Sequence, residues 1–158
     1  MPNIYKRQMK KIILLCGTLL LINLTVRSQS AEYLTNKAQK IEQGSVFTKI
    51  MNREIPATIE YEDEDIIAFV PLRLQAPVHL LIVPKKEIYT INDATEEDTY
   101  LLGKLFLVAK KLAAEKGISE TGYRLSMNIN EDAGQSVFHL HMHLLGGEKL
   151  GPMVNQKE

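Results

Sequence analysis

The sequence predicts an α+β domain: an antiparallel sheet of about five strands with a long helix and a short N-terminal helix, preceded by an apolar leader. Three observations support this fold class: short apolar runs with strand character, one long segment with helical apolar spacing, and turn-forming residues between them. The order helix, hairpin, strand, long helix and strand pair is typical of an antiparallel sheet with its helices on one face. The 158 residues show no internal repeat, and their 45% apolar content is typical of one globular domain.

The first 30 residues are expected to form a leader rather than part of the domain. A basic stretch precedes the apolar run Ile12 to Leu24, which is shorter than the roughly 20 residues of a membrane-spanning helix and has the length of a signal-peptide core. Ser28 and Ser30 have the spacing of small residues at a leader-peptidase site, so we expect cleavage before Ala31. An uncleaved anchor, an organelle-targeting leader and an extension without a role are the alternatives. Membrane association is expected only through this leader.

Charge and cysteine content narrow the functions of the remaining chain, which we divide into a polar spacer (31–44), the folded domain (45–154) and a tail (155–158). All 19 acids follow the leader, whereas 5 of the 19 bases lie within it, so the remainder has a net charge near −5. Broad nucleic-acid binding needs clustered cations, so no nucleic-acid partner is expected. The one cysteine, Cys16, lies in the leader, which excludes a disulfide, a thiolate metal site and a cysteine nucleophile from the domain.

The first half of the domain is expected to contain a short helix, a hairpin and a central strand. Apolar residues at helical spacing predict an amphipathic helix over Ser45–Arg53. Two strands, Thr58–Tyr61 and Ile66–Val70, flank the acidic turn 62–65, which we interpret as a solvated hairpin tip. The apolar run His79–Val83 is bounded by prolines and predicts a central strand.

A long amphipathic helix is the clearest element of the second half. Thr95 is its expected N-cap, with Asp98 completing a capping box, and Gly117 is placed to end it. Its apolar residues form a wide face that is expected to cover the sheet. That face comprises Leu101, Leu102, Leu105, Phe106, Val108, Ala109 and Leu112.

Three of the four histidines fall in the last predicted strand pair, Tyr123–Ile129 and Val137–Leu145, which a polar turn joins. His139, His141 and His143 alternate with apolar residues. Because side chains of a strand alternate between its faces, the three imidazoles are expected on one face, about 7 Å apart, with the apolar residues on the other.

Two kinds of chemistry compete with a structural role for these histidines. A single zinc ion cannot bind both outer rings, which would lie about 13 Å apart, although two neighbours together with His79 remain an alternative. A nucleophilic role suits the middle ring, His141, because a neutral imidazole attacks phosphorus when its other nitrogen is held by an acceptor. Asn128, Gln135 and Ser136 are nearby polar side chains suited to a phosphate or a leaving group.

The segment GQSVFHLHMHLLGG (134–147) resembles the signature of the histidine triad superfamily. Phe47–Glu60, Gln75–Lys86 and Asn128 are similar to segments of its Hint branch, the purine nucleoside phosphoramidases, and the resemblance covers residues 44–152. It implies hydrolysis of the P–N bond of nucleoside 5′-phosphoramidates or adenylated amines, with a purine nucleotide or nucleotidylated amine as substrate and without a metal or other cofactor. It also implies a homodimer that pairs through the long helix and central strands. The family is mostly cytoplasmic, whereas the leader indicates export or membrane association.

The resemblance also implies roles for individual residues. His141 is the expected nucleophile, which forms a transient nucleotidyl-histidine. His143 and Gln135 are expected to contact the phosphate, Ser136 to assist the departing amine, and His139 and His79 to support the site from beneath. Asn128 is expected near the phosphate or ribose, and Leu72 belongs to the expected substrate-binding set.

Three departures from the family pattern keep other functions open. Pro71 stands where many members have an acid that holds the ribose hydroxyls, and Ser45 and Thr48 stand where zinc-binding members have cysteines. The aromatic C-terminal segment of the Hint branch is replaced by residues 151–154. A dinucleoside polyphosphate hydrolase is the nearest alternative enzyme, although GQS before the histidines and GG after them favour the phosphoramidase branch. A nucleotide-binding or interaction module with little turnover is the alternative outside enzymes.

Overall fold

The structure is a computed structural model that describes residues 31–152; the predicted leader and tail lie outside the described residues. Residues 31–42 are helical (α1), where the sequence predicts a polar spacer. They belong to one compact unit, and the chain from Gln43 onward belongs to a second one. Within residues 31–152, no helix has the length and apolar character required to cross a membrane.

The second unit contains a five-stranded antiparallel sheet, two helices and two short 3₁₀ turns. The helices are α2 (Val46–Met51) and α3 (Thr99–Glu115), and the strands are β1 (Ile59–Glu62), β2 (Ile66–Phe69), β3 (Val78–Pro84), β4 (Tyr123–Ser126) and β5 (Met142–Gly146). The strand order is β1-β2-β3-β5-β4, which makes β3 central and β4 an edge strand. The predicted α+β fold class is therefore confirmed.

The two helices pack against opposite faces of the sheet, so the expectation that the helices share one face is wrong. Alternate residues of β2 and β3 supply the two cores: Ile66 and Leu80 pack with α3, whereas Ile67 and Leu81 pack with Phe47 of α2. Both of these strands have a nearly continuous run of buried residues, which is typical of strands covered on both faces. The second face is the one that carries the histidine site.

Helix α3 ends near Gly117 as predicted, but it begins at Thr99, so the predicted N-cap Thr95 caps the preceding 3₁₀ turn rather than the helix itself. The carboxylate of Asp98 accepts a hydrogen bond from the backbone N–H of Thr95 at 2.9 Å, which organises a 3₁₀ turn directly before the helix. Gly117 follows its end with φ +70°, a left-handed conformation that glycine adopts without strain. Leu105 and Leu112 are fully buried as predicted. Phe106 is 54% exposed, so its assignment to the core face is wrong, because it lies about 100° around the helix from Leu105.

The acidic hairpin tip is attached to α3 rather than simply solvated. Lys104 of α3 forms ion pairs with Asp63 at 2.9 Å and Asp65 at 2.6 Å. Hydrogen bonds from Lys104 to Asp65 and Asp63 raise the pKa of the lysine. Asp63 also accepts hydrogen bonds from the backbone N–H groups of Asp65 and Ile66, so the carboxylate closes the turn itself. The ion pairs of Lys104 therefore attach the tip of the β1–β2 hairpin to α3.

The histidine-bearing strand is shorter than the sequence predicts. Strand β5 begins at Met142, so His139 and His141 precede it, and β4 ends at Ser126 rather than at residue 129. The pairing of β4 with β5 ends at Ser126 opposite His143, which leaves the preceding segment without a partner strand. That segment is held instead by a hydrogen bond from the Leu140 N–H to the carbonyl of Ile88.

The alternation of faces nevertheless continues through the non-strand segment. Leu140, Met142 and Leu144 all belong to the core beneath α3. His141 and His143 therefore lie on the α2 side, and their ring centroids are 5.1 Å apart, closer than the spacing expected for an extended strand.

Candidate active site

The tautomer of His141 follows from a single backbone contact. Its Nδ1 lies 2.8 Å from the carbonyl oxygen of His139, and a carbonyl only accepts hydrogen bonds. Nδ1 therefore carries the proton and donates it. In the neutral ring Nε2 then carries the lone pair, which is the form of imidazole that acts as a nucleophile.

The ring of His139 is held at both of its nitrogens and is fully buried. Nε2 lies 2.8 Å from the carbonyl oxygen of Pro84 at the end of β3 and must donate to it. Nδ1 is therefore an acceptor in the neutral ring, and it lies 3.2 Å from Oγ of Ser45 at the start of α2. His139, whose carbonyl orients His141, is therefore hydrogen-bonded both to the end of β3 and to the start of α2.

A second chain of hydrogen bonds determines the tautomer of His143. The backbone N–H of Gln75 donates to Nδ1 of His79 at 3.2 Å, so His79 carries its proton on Nε2. That Nε2 lies 2.9 Å from Nδ1 of His143 and donates to it. His143 therefore carries its proton on Nε2, a buried atom for which no hydrogen-bond partner is found among residues 31–152. A buried, unpaired N–H beside a nucleophile is suited to donate to an oxygen or nitrogen of a substrate.

Burial keeps all four imidazoles neutral near pH 7. Desolvation lowers the pKa of His79, His139 and His141 below the ordinary value of 6.5. It lowers the pKa of His143 to about 4, and the neighbouring His141 and His79 contribute to that shift. A neutral cluster is required for nucleophilic attack, because a protonated imidazole has no lone pair.

An open apolar pocket of about 560 Å³ lies beside this cluster. Phe47 joins the two: it lines the pocket, and its ring packs edge-on against His141 at a centroid distance of 5.0 Å. Leu81, which pairs with His143 across the β3–β5 ladder, also lines the pocket. At the rim, Pro71 is half-buried and Leu72 is fully exposed, so the predicted substrate-binding residue Leu72 lies at the entrance.

The polar residues expected near the phosphate occupy different environments. Gln135 is buried, and within residues 31–152 its side chain bonds to backbone groups: its amide donates to the carbonyls of Tyr89 and Val137, and its oxygen accepts from the N–H of Asn130 at 2.8 Å. This side chain therefore organises the loop before the histidines. Asn128 is half-buried and lies after the end of β4, between Met127 and Ile129, which pack against the core beneath α3. Ser136 is exposed and lies three residues before His139.

Two contributors to the site were not singled out for it in the sequence. Phe47 was predicted only as part of an amphipathic helix and of a segment similar to the Hint branch, although it lines the pocket and packs against His141. Ser45 was considered only as the position of a zinc ligand, although its hydroxyl contacts His139. A serine immediately before a helical pattern is an N-cap signal, which Ser45 fulfils by accepting from the N–H of Thr48 at 3.0 Å.

The residues of this chain do not fit a zinc site at the start of α2. Ser45 and Thr48 present hydroxyls that hydrogen-bond to each other at 3.1 Å, and neutral hydroxyls are not among the zinc ligands of structural sites. His79 and His143 direct ring nitrogens at each other rather than at a common point. Across the part of the chain that the structure describes, no three histidine, cysteine or acidic side chains are grouped to hold a metal ion.

Fold and site together define an α+β protein built around a buried, neutral histidine cluster at the edge of an apolar pocket. The chain belongs to the histidine triad family, because the model of the HIT domain matches residues 52–150. It is 50% identical over 113 residues to the purine nucleoside phosphoramidase of Escherichia coli (strain K12), covering 72% of this chain and 95% of that protein.

Solved structures agree with this assignment. A HIT family hydrolase from Legionella pneumophila Philadelphia 1 is 52% identical with a TM-score of 0.67, covering 68% of this chain and 96% of that one. A zinc-bound histidine triad family protein from Mycobacterium smegmatis is 28% identical with a TM-score of 0.59, covering 69% and 81%. The predicted family resemblance is confirmed.

Nitrogen NMR of histidine-labelled protein is expected to show the tautomers derived above. At pH 7 His141 should be protonated on Nδ1, and His79, His139 and His143 on Nε2, because backbone carbonyls and N–H groups set these states. On acidification His143 should stay neutral well below pH 6.5 and protonate near pH 4. The imidazole of free histidine in the same buffer is the control. A His141 ring protonated on Nε2 would contradict the assignment.

Proposed function

We propose that this protein is a hydrolase that cleaves the P–N bond of nucleoside 5′-phosphoramidates or adenylated amines through a nucleotidyl-histidine intermediate on His141. The supporting observation is the hydrogen bond from Nδ1 of His141 to the carbonyl of His139, which leaves the lone pair on Nε2. Membership of the histidine triad family and the similarity to a purine nucleoside phosphoramidase support hydrolase activity. The pocket beside Phe47 is large and apolar enough for a purine base.

The proposed reaction has two displacements at phosphorus. Nε2 of His141 attacks phosphorus, the P–N bond of the substrate breaks, and the leaving nitrogen, which takes its proton from solvent, departs as the neutral amine. Nε2–H of His143 donates a hydrogen bond to a phosphoryl oxygen and keeps its proton. The nucleotidylated imidazole carries a positive charge, which the Nδ1–H bond to the His139 carbonyl stabilises. Water then attacks phosphorus, the bond to Nε2 breaks, and the proton released by the water passes to solvent, which returns His141 to its neutral form. Ser136 is the proposed contact to the departing amine.

Replacing His141 by alanine is expected to lower kcat/KM for the tryptamine amide of adenosine monophosphate by at least ~10³-fold, because the covalent route is lost. His139→Ala is expected to cost less, since it keeps the carbonyl that orients His141. Acid-quenched mass spectrometry should detect the nucleotidylated wild type and no adduct on His141→Ala.

Thermal unfolding and binding of adenosine monophosphate serve as controls that each variant is folded. Equal losses at positions 139 and 141 would contradict the assignment of the nucleophile. Tight nucleotide binding without turnover would support the interaction module, and preferential cleavage of a dinucleoside polyphosphate would support the alternative hydrolase.

We further propose that the sugar is recognised less strictly than the phosphate. Among the described residues lining the pocket, the only side chain with a hydrogen-bonding group is Thr58, and Pro71 occupies the place where the family resemblance puts an acid. A carboxylate that accepts from both ribose hydroxyls contributes about 1.5–3 kcal/mol per charged hydrogen bond. Without it, ribose and deoxyribose substrates should be nearly equivalent.

Pro71→Asp is expected to introduce discrimination by supplying that acceptor. The wild type should hydrolyse the ribose and 2′-deoxyribose forms of the adenosine phosphoramidate with kcat/KM values within about 3-fold, whereas Pro71→Asp should favour ribose by about 10-fold or more. Pro71→Ala is the matched control, because it removes the ring without adding an acceptor. Strong ribose preference in the wild type would refute weak sugar recognition.

We propose, finally, that the protein is a homodimer that pairs through α3 and the neighbouring sheet edge. Tyr100, Phe106 and Leu107 are 74%, 54% and 68% exposed on this one helix, a concentration of large apolar side chains that is typical of an interaction surface. The edge strand β4 also presents unpaired backbone groups on one side. A second copy of the chain is the proposed occupant, and no nucleic-acid partner is proposed.

Light scattering coupled to size-exclusion chromatography is expected to give twice the chain mass at micromolar concentration. Phe106→Glu combined with Leu107→Glu should shift the protein to monomer, because two charges would be desolvated in the interface. Leu74→Glu places a charge on another exposed leucine and should leave the dimer intact. A monomeric wild type, or dissociation by the control alone, would overturn the proposed surface.

A further inference from the structure

The hydroxyl of Ser45 has two distinct hydrogen-bonding functions in one buried position. Its oxygen accepts from the backbone N–H of Thr48 and thereby caps α2. Its proton is directed to Nδ1 of His139 at 3.2 Å, because Nε2 of that ring is already the donor to Pro84. The first contact uses a lone pair and the second uses the O–H, so they are separable by chemistry.

The contact to His139 joins the pocket to the nucleophile. Ser45 is the N-cap of α2. Phe47, two residues later, lines the pocket and packs against His141. His139 holds His141 in its reactive tautomer through its own carbonyl. A shift of the His139 ring would therefore move the acceptor on which the Nδ1–H of His141 depends.

We infer that Ser45 is a positioning residue for the nucleophile: its hydroxyl holds the His139 ring, and through the His139 carbonyl it maintains the orientation of His141. This inference rests on the proposed function in assigning His141 as the nucleophile. The serine hydroxyl supplies a neutral O–H donor at the place where the family resemblance puts a zinc ligand. In this chain a hydrogen bond therefore links α2 to His139, in addition to the packing of Phe47 against His141.

Substitution by glycine separates the two functions of Ser45. Glycine replaces serine at an N-cap with a much smaller loss of helix stability than alanine does. Both variants lack the hydroxyl that donates to His139. A positioning role therefore predicts that Ser45→Gly and Ser45→Ala lose the same activity although their melting temperatures differ, whereas a capping role predicts that activity follows stability.

The rate constant for nucleotidyl-histidine formation in a single turnover is the first measurement. Ser45→Gly and Ser45→Ala should each lower it about 10-fold, the loss of roughly one buried hydrogen bond, while the affinity for adenosine monophosphate stays within about 2-fold of wild type. Ser45→Thr retains a hydroxyl and should restore most of the rate. Thr48→Val is the matched control in the same cluster, since it removes a hydroxyl that bonds to Ser45 rather than to His139.

Nitrogen NMR supplies a second measurement that needs no turnover. In Ser45→Gly the Nδ1 resonance of His139 should shift on loss of its donor, and the Nδ1 proton of His141 should exchange with water faster than in wild type. These spectra test the positioning of His141 even where the phosphoramidate is not cleaved, so failure of the proposed function is distinguishable. Wild-type rates and spectra in Ser45→Gly would show that Ser45 acts only as a helix cap and would overturn the inference.

Discussion

The hydrogen bond from Nδ1 of His141 to the carbonyl of its neighbour two residues earlier is the interaction on which the site depends. A neutral imidazole has one proton for two nitrogens, so fixing that proton at Nδ1 determines which nitrogen is nucleophilic. The acceptor is a backbone atom of His139, and a backbone carbonyl cannot exchange its role for that of a donor. The contacts of the His139 ring with Ser45 and Pro84 hold the residue that provides this acceptor, and the contacts of His79 set the tautomer of His143.

Burial supplies the second requirement. All four imidazoles lie where desolvation disfavours their charged forms, which lowers each pKa and keeps lone pairs available near neutral pH. Neutral polar rings still need partners inside a protein, and the cluster provides them through Ser45, Pro84 and the backbone N–H of Gln75. The Nε2 of His143 is the buried side-chain atom left without a partner in the described part of the chain, which is consistent with a group reserved for substrate.

The sheet separates the stabilising and reacting parts of the domain. One face packs against the long helix α3 and forms the larger core, which also anchors the acidic hairpin through Lys104. The other face packs against the short helix α2. This helix contributes Phe47 to the wall of the pocket, and its N-cap residue is Ser45. Changes at the start of α2, such as Ser45 and Thr48, therefore alter the surroundings of the histidines without altering the main core.

The sequence by itself determined the fold class, the long helix and the site segment, because these follow from local periodicity and local signals. Alternation around His141 predicted which residues would share a face, and the residues Thr95 and Gly117 predicted the limits of α3 within a few residues. The same alternation extends to the residues before β5, which are not in a strand. Leu140 packs into the core beneath α3 together with Met142 and Leu144 of β5.

Only the tertiary structure decided the tautomers, the pocket and the side of the sheet on which each helix lies. Each depends on residues far apart in the chain: Ser45 meets His139 across 94 positions, and His79 meets His143 across 64. An amphipathic pattern shows that a helix has a buried face but not which face of the sheet it covers, so α2 was misplaced. The proton of an imidazole, likewise, is set by the partner that folding brings to it, and no spacing along the sequence encodes that partner.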